Sequence, residues 1–120
     1  GKRVFLKHAY RYAPGKGWTR IADLPLPLQG GYAVGGAAGF RVIGGNDGEW
    51  ADRESDAAHP GFRREVFAYD PQANRWDRAG TMPASLVTSG LAEWQGRVVI
   101  AGGEDKPASR SARVIAASLQ

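Results

Sequence analysis

The chain has 120 residues, and 42% of them are hydrophobic, which is enough for one ordinary domain with a buried core. It contains no cysteine, so disulfides, thiolate metal ligands and cysteine nucleophiles are excluded within these residues. The formal net charge of +4 comes from basic residues scattered along the chain, whereas a nucleic-acid footprint clusters them on one face. We therefore expect no nucleic-acid partner and favour an anionic small molecule.

No segment approaches the ~20 apolar residues that cross a bilayer, and the apolar part of residues 1–6 is too short for a signal peptide. We expect no membrane partner for these residues. The lack of cysteine is compatible with either redox compartment. A periplasmic or secreted location would follow from a signal peptide upstream of Gly1, so the localisation stays open.

The composition favours short strands over helices. Seventeen glycines and seven prolines stand beside four residues each of Trp, Tyr and Phe, which is typical of strands joined by tight turns. The predicted fold class is all-β. In chain order, the predicted strands are 4–12, 18–22, 31–37, 40–44, 65–70, 75–79, 86–94, 97–101 and 112–118.

The sequence repeats itself with a period of 58 residues. Trp18 precedes a Leu-Pro pair by six residues, and Trp76 precedes a Met-Pro pair by the same interval. Apolar stretches end at the double glycines 44–45 and 102–103, again 58 residues apart. Such a period is the signature of a repeat architecture, so the chain is expected to contain successive copies of one structural unit.

These landmarks resemble the kelch repeat, in which an apolar strand ends in a double glycine and a later strand ends Tyr-Asp-Pro before Asn-x-Trp. Here the last two elements are Tyr69-Asp70-Pro71 and Asn74-Arg75-Trp76. The resemblance implies four-stranded antiparallel blades of a β-propeller, with the tryptophans packed between blades. Kelch repeats run about 50 residues, so the longer period predicts an insertion, which lies at 46–63.

The predicted organisation has three parts. Residues 1–25 form the outer strands of one blade, 26–83 a complete blade with the insertion, and 84–120 the inner three strands of a final blade. Propellers close with about four to eight blades, so the chain is predicted to be the C-terminal portion of a larger propeller. Its open sheet edges predict association with the remaining blades or with further copies of the chain.

The insertion and the run after the second double glycine carry the candidate site residues. Long loops are often functional, and the insertion contains His59, a residue of the type most often used for proton transfer near neutral pH. The alternative is a solvated connection that Trp50 and Phe62 pin to the surface. Carboxylates at 47, 49 and 52 are of the type that binds calcium, but their spacing lacks the twelve-residue calcium-loop pattern, so no metal site is predicted.

Glu104 follows the end of a predicted strand, where a carboxylate is held rigidly, and Arg110 is placed to clamp a substrate carboxylate. The run Gly-Gly-Glu-x-x-Pro-x-x-Arg-Ser at 102–111, with the insertion ending His-Pro-Gly, resembles sialic acid mutarotases and their cyclically permuted kelch relatives. That resemblance implies an isomerase acting on an acidic sugar such as N-acetylneuraminate, with Glu104 catalytic and Arg110 binding the sugar carboxylate. The implied mechanism needs no metal or cofactor.

Two further residues are candidates for the same site. His59 would act as a second proton carrier, and Trp94 would stack on a sugar face. Each candidate has a structural alternative: a turn-shaping ion pair for Glu104 and Arg110, a surface or packing role for His59, and core packing for Trp94. The competing function is a non-catalytic kelch module that binds protein or carbohydrate, since fold alone does not decide function. The copper-radical kelch oxidases rank last, because their cross-linked cysteine is absent.

Overall fold

The computed structural model describes residues 2–36 and 39–119, and these residues form nine β-strands in three antiparallel sheets. A two-stranded, a four-stranded and a three-stranded sheet follow one another along the chain, each with its strands in sequence order. The described residues contain no helix, and hence none that crosses a membrane. The strands are β1 Ala9–Ala13, β2 Gly17–Ile21, β3 Tyr32–Gly36, β4 Gly39–Gly45, β5 Arg63–Asp70, β6 Arg75–Thr81, β7 Leu91–Trp94, β8 Arg97–Lys106 and β9 Ser109–Ser118.

The all-β fold class of propeller blades is confirmed, while several predicted strand bounds are wrong. Residues 4–8 and 86–90 lie outside the ladders, and the predicted loop at 102–111 is mostly strand, because β8 and β9 continue to a turn at Pro107-Ala108. Ala108 takes a positive φ of 59°, which closes this hairpin tightly. The predicted end of a strand at Ala37, like Gly1 and Gln120, lies outside the described residues. The division of the chain at residues 25 and 83 stays a prediction.

The hydrophobic core lies between the four-stranded and the three-stranded sheet. The four-stranded sheet contributes side chains from β3, β4 and β5 and the three-stranded sheet from β8 and β9, as expected for strands with one face buried against a neighbour. Ile43 and Ile100 are the most completely buried. The connection between the sheets supplies two further side chains, so the two units share one core, which consists of Val34, Ile43, Val66, Met82, Leu86, Val98, Ile100 and Ile115.

Each double glycine is followed by a residue held in an isolated antiparallel bridge. Asn46 exchanges two backbone hydrogen bonds with Gln29, at 2.8 and 2.9 Å, and Glu104 does the same with Val87, both at 2.9 Å. The two bridges are 58 residues apart, so the sequence period is also a structural one. A Cβ on Gly103 would lie 2.4 Å from the Val87 carbonyl oxygen, so only glycine fits at this position without a clash.

The repeat tryptophans pair with the repeat tyrosines across antiparallel strands. The Tyr12 and Trp18 ring centroids are 5.2 Å apart, and those of Tyr69 and Trp76 are 5.1 Å apart. In the second pair, the Phe40 ring centroid lies 5.2 Å from each of the other two. The Trp76 indole N–H donates a 2.8 Å hydrogen bond to the carbonyl of Ala22, the residue after β2. Among the described residues no third strand joins the β1–β2 sheet, and Trp18 on β2 is 72% exposed. Tyr69 is thus buried and Trp76 partly buried, whereas Trp18, which was predicted to pack between blades, lies at the surface of the described residues.

We expect Gly103→Ala to lower the free energy of unfolding by roughly 2–4 kcal/mol, because the added Cβ meets a backbone carbonyl and the residue has a φ of 118°. Gly90→Ala is the matched control, since its Cβ would have no heavy atom within 4 Å and its φ is ordinary. Urea unfolding of both variants measures the difference. Equal midpoints would show that the bridge does not constrain the fold.

Candidate functional site

Arg63 organises the insertion through three carboxylates. Its guanidinium forms ion pairs with Asp47, with Glu49 at 3.0 Å and with Glu65 at 3.7 Å. The hydrogen bond to Asp47, followed by the charges of the three acids, raises the pKa of Arg63 above its ordinary value, although partial burial opposes the shift. Two of the carboxylates considered for calcium are thus paired with an arginine. Among the described residues, no group of three or more acids or histidines is arranged to hold a metal ion.

His59 is 8% exposed and lies within the insertion. Its ring is 5.4 Å from that of Trp50 and 6.1 Å from that of Phe62, measured between centroids. The Gly61 N–H donates a 3.0 Å hydrogen bond to His59 Nδ1, which places the proton of the neutral ring on Nε2. Proton exchange at Nδ1 would break this loop contact, so Nε2 is the atom left for chemistry.

The insertion also contacts the chain on both sides. On one side, Arg3 forms a 2.8 Å ion pair with Glu54 and donates a hydrogen bond to the Ala51 carbonyl at 3.1 Å. On the other side, the Phe62 N–H donates to the Asp105 carbonyl at 3.1 Å, next to the turn of the β8–β9 hairpin. The loop at 46–62 and the short turn at 107–108 close equivalent strand pairs of successive units, so the two lie at the same edge of the structure.

Glu104 and Arg110 face each other across the β8–β9 hairpin. They are register partners, and Arg110 Nη2 lies 3.3 Å from Glu104 Oε1. The Glu104 side chain is 18% exposed and that of Arg110 is 74% exposed. Arg110 also reaches the Thr88 hydroxyl at 3.5 Å, near the limit for a hydrogen bond. The structure thus brings these two predicted residues together, with the Glu104 backbone held by its bridge and the Arg110 side chain largely exposed.

Trp94 does not join this pair. It ends β7 opposite Arg97, and Glu104 is seven residues further along β8, which corresponds to about 23 Å at the rise of an extended strand. At 63% exposure it is not a core residue either, so the predicted packing role is wrong. A stacking role for Trp94 stays a prediction, but at the opposite end of the sheet from the ion pair.

The insertion borders two clefts. A cleft of about 250 Å³ lies against Asp47, Trp50 and Arg78, and one of about 400 Å³ lies between the insertion and the β8–β9 hairpin. His59 lines both clefts, whereas Glu104 and Arg110 line neither. Sequence reasoning missed Arg64 and Arg113, which line the larger cleft. The 58-residue offset aligns residue 47 with residue 105 and was the sequence signal from which the contact between the insertion and this hairpin could have been predicted.

The antiparallel sheets, the repeated bridges and the paired double glycines define blades of a kelch-type β-propeller. The solved structure of YjhT is similar over 93% of this chain and 40% of that chain, with a TM-score of 0.74 and 17% sequence identity, which shows the shared fold. No protein-family model matches the chain.

Curated relatives of two kinds match part of the sequence. N-acetylneuraminate epimerases of Yersinia pestis and Yersinia pseudotuberculosis are 35% identical over 54 residues, which is 44% of this chain and 14% of the epimerase. Kelch-like protein 36 of Rattus norvegicus is 47% identical over 38 residues, which is 32% of this chain and 6% of that protein. The matched segments therefore cover a small part of the length of these relatives.

We expect Arg63→Gln to loosen the insertion, because one substitution removes all three ion pairs. Trypsin cleavage after Arg53, inside the insertion, should accelerate about fivefold, which corresponds to roughly 1 kcal/mol of lost pairing in a partly exposed network. Mass spectrometry of timed digests measures the rate. Arg75→Gln is the control, because it removes an arginine ion pair on β6 that lies outside the insertion. Equal cleavage rates in the two variants would contradict the role of Arg63.

Proposed function

We propose that the chain is part of a kelch propeller enzyme that interconverts the anomers of an acidic sugar such as N-acetylneuraminate. Glu104 is the general acid and base, and Arg110 binds the sugar carboxylate. The observation that carries the proposal is the 3.3 Å contact between Glu104 and Arg110 at the end of a strand pair. Its support from relatives is the partial similarity to N-acetylneuraminate epimerases.

The geometry suits a base and a ligand-binding cation. Glu104 is mostly shielded and its backbone is held by two hydrogen bonds to Val87, so its position needs little ordering when a substrate arrives. Arg110 is largely exposed, and its planar guanidinium matches a carboxylate in two-point contact. A sugar carboxylate that displaces part of the Glu104 contact would thereby bring the anomeric centre beside the Glu104 carboxyl group.

The chemistry requires one proton to leave the anomeric hydroxyl and one to reach the ring oxygen. Glu104 takes the hydroxyl proton, the bond between the anomeric carbon and the ring oxygen breaks, and a carbonyl forms. The ring oxygen takes up the proton and becomes a hydroxyl group of the open chain. Rotation of the carbonyl and attack by that hydroxyl on the other face, with the reverse proton transfers, gives the other anomer. The balance needs no oxidant, reductant or metal.

His59 and Trp94 have smaller parts in this proposal. His59 lies in the neighbouring clefts, and only Nε2 is available for proton transfer without disturbing the loop. It is proposed as a second proton carrier for a substrate that extends across the hairpin. Trp94, at the far end of its sheet, would contact a separate sugar residue if it stacks on carbohydrate at all.

A second candidate function is a binding module without chemistry. The similarity to Kelch-like protein 36 over 38 residues favours it, and the exposed apolar faces of β1 and β2 suit association. In that case Glu104 and Arg110 shape the hairpin turn and nothing more. The two functions differ in whether removal of the Glu104 carboxylate changes a reaction rate.

The decisive experiment is proton NMR exchange between the anomers of N-acetylneuraminate in the presence of the full-length protein. We expect acceleration over buffer, and Glu104→Gln should reduce the accelerated part by about a hundredfold or more, as for loss of a general acid–base. Arg110→Ala should weaken the apparent affinity for substrate more than it lowers the maximal rate.

Glu93→Gln is the matched control, because it removes an exposed carboxylate at the opposite end of the same three-stranded sheet. Unfolding midpoints of all variants exclude loss of fold as the cause. If the wild-type protein leaves the exchange at its buffer rate, the enzymatic proposal is refuted. A wild-type rate in Glu104→Gln would instead refute the assignment of the residue.

A further inference from the structure

The cleft between the insertion and the β8–β9 hairpin has an unbalanced charge. Its cationic lining residues are Arg64, Lys106 and Arg113, against a single carboxylate, that of Asp105. Asp105 is already paired with Arg113 at 3.3 Å. The lining therefore has an excess of positive charge before any ligand is present.

Two of these cations have no carboxylate partner within residues 2–36 and 39–119. The Arg64 side chain donates one hydrogen bond, to the Pro83 carbonyl at 3.2 Å, and forms no ion pair in these residues. Its backbone N–H, not its guanidinium, donates to the Glu65 carboxylate at 3.1 Å. Lys106 has no ion pair with an acid in the same residues. By contrast, the adjacent Arg63 is paired three times. Neighbouring arginines on one strand thus differ: the first is used to hold the loop, and the second is available to a ligand.

The remaining lining of this cleft is mostly polar, with a few apolar rings. Its volume of about 400 Å³ is within the range that holds a ligand of sugar size. The rings of Phe62, Pro60 and Pro83 provide apolar wall, and Ser109 provides a hydroxyl. The Ser85 hydroxyl is not a free donor for a ligand, because it already donates to the Arg63 carbonyl at 2.8 Å.

We propose that this cleft, which the Glu104 site does not include, binds small oxyanions of the carboxylate or phosphate class. Arg64 and Lys106 hold the anion, and Arg113, oriented by Asp105 and by the Ser111 hydroxyl, closes the third side. Guanidinium groups match both kinds of oxyanion through paired N–H donors. The proposal stands independently of anomer exchange, because neither Glu104 nor Arg110 lines the cleft.

The test is a titration of the ¹⁵N-labelled full-length protein with inorganic phosphate and, separately, with acetate, followed through its amide resonances at constant ionic strength. Saturable shifts are expected for the amides of Arg64, Ser85, Lys106 and Ser109. Saturation by phosphate alone assigns the phosphate class, and saturation by acetate alone assigns the carboxylate class. Either result supports the cleft as an oxyanion site.

Charge-matched double variants separate a site from general attraction. Arg64→Gln with Lys106→Gln should weaken the affinity about tenfold, in line with the loss of charge-assisted hydrogen bonds. Arg11→Gln with Arg97→Gln removes the same charge from exposed strand positions outside the cleft and should leave the affinity unchanged. Equal weakening in both, or shifts that never saturate, would overturn the proposal. Glu104→Gln should remove most of the protein's acceleration of anomer exchange and leave anion binding intact, so the two proposals fail separately.

Discussion

The fold depends on the backbone bridge that follows each double glycine. Val87 and Glu104 exchange two hydrogen bonds at 2.9 Å, as Gln29 and Asn46 do one repeat earlier. Only a residue without a Cβ passes this point, since a Cβ on Gly103 would lie 2.4 Å from the Val87 carbonyl oxygen. In each repeat the bridge joins the residue after the double glycine to the segment that precedes the first strand of the same sheet, β3 in one case and β7 in the other. It therefore fixes both the shared core and the position of the first side chain beyond the glycines.

The two repeats close the same strand pair in different ways, and the difference creates the larger cleft. One hairpin closes at Pro107-Ala108 with a single positive φ of 59°. The other is closed by the insertion, in which ion pairs from Arg63 and the rings around His59 provide the contacts that a tight turn would make locally. The Phe62 N–H donates to the Asp105 carbonyl, so the insertion lies against the β8–β9 turn. The space left between them is where Arg64 and Lys106 have no acidic partner among the described residues.

Residues close together in sequence made the repeat and the fold class predictable. The wrong strand bounds and the missed cleft residues depend on contacts between distant residues. Double glycines and the Tyr-Asp-Pro turn specify backbone geometry from neighbouring residues alone, and Asn74 indeed takes a positive φ of 48°. The continuation of β8 to Lys106 was missed because polar residues after a double glycine resemble a loop in composition. The exposure of Trp94 and the role of Arg64 depend on which element lies beside them. Such contacts join residues far apart in sequence and leave no local pattern.

In the proposed mechanism, the ion pair between Glu104 and Arg110 would need to open when substrate binds. An exposed pair contributes less than about 1 kcal/mol, so it adds little to a hairpin already closed by a tight turn. The same weakness lets Arg110, at 74% exposure, exchange part of its contact with Glu104 for the carboxylate of a ligand at small cost. Glu104 would stay in place during that exchange, because its backbone bridge does not depend on the side chain. The proposed general acid–base chemistry would therefore use an acid on a held backbone beside an exposed cation.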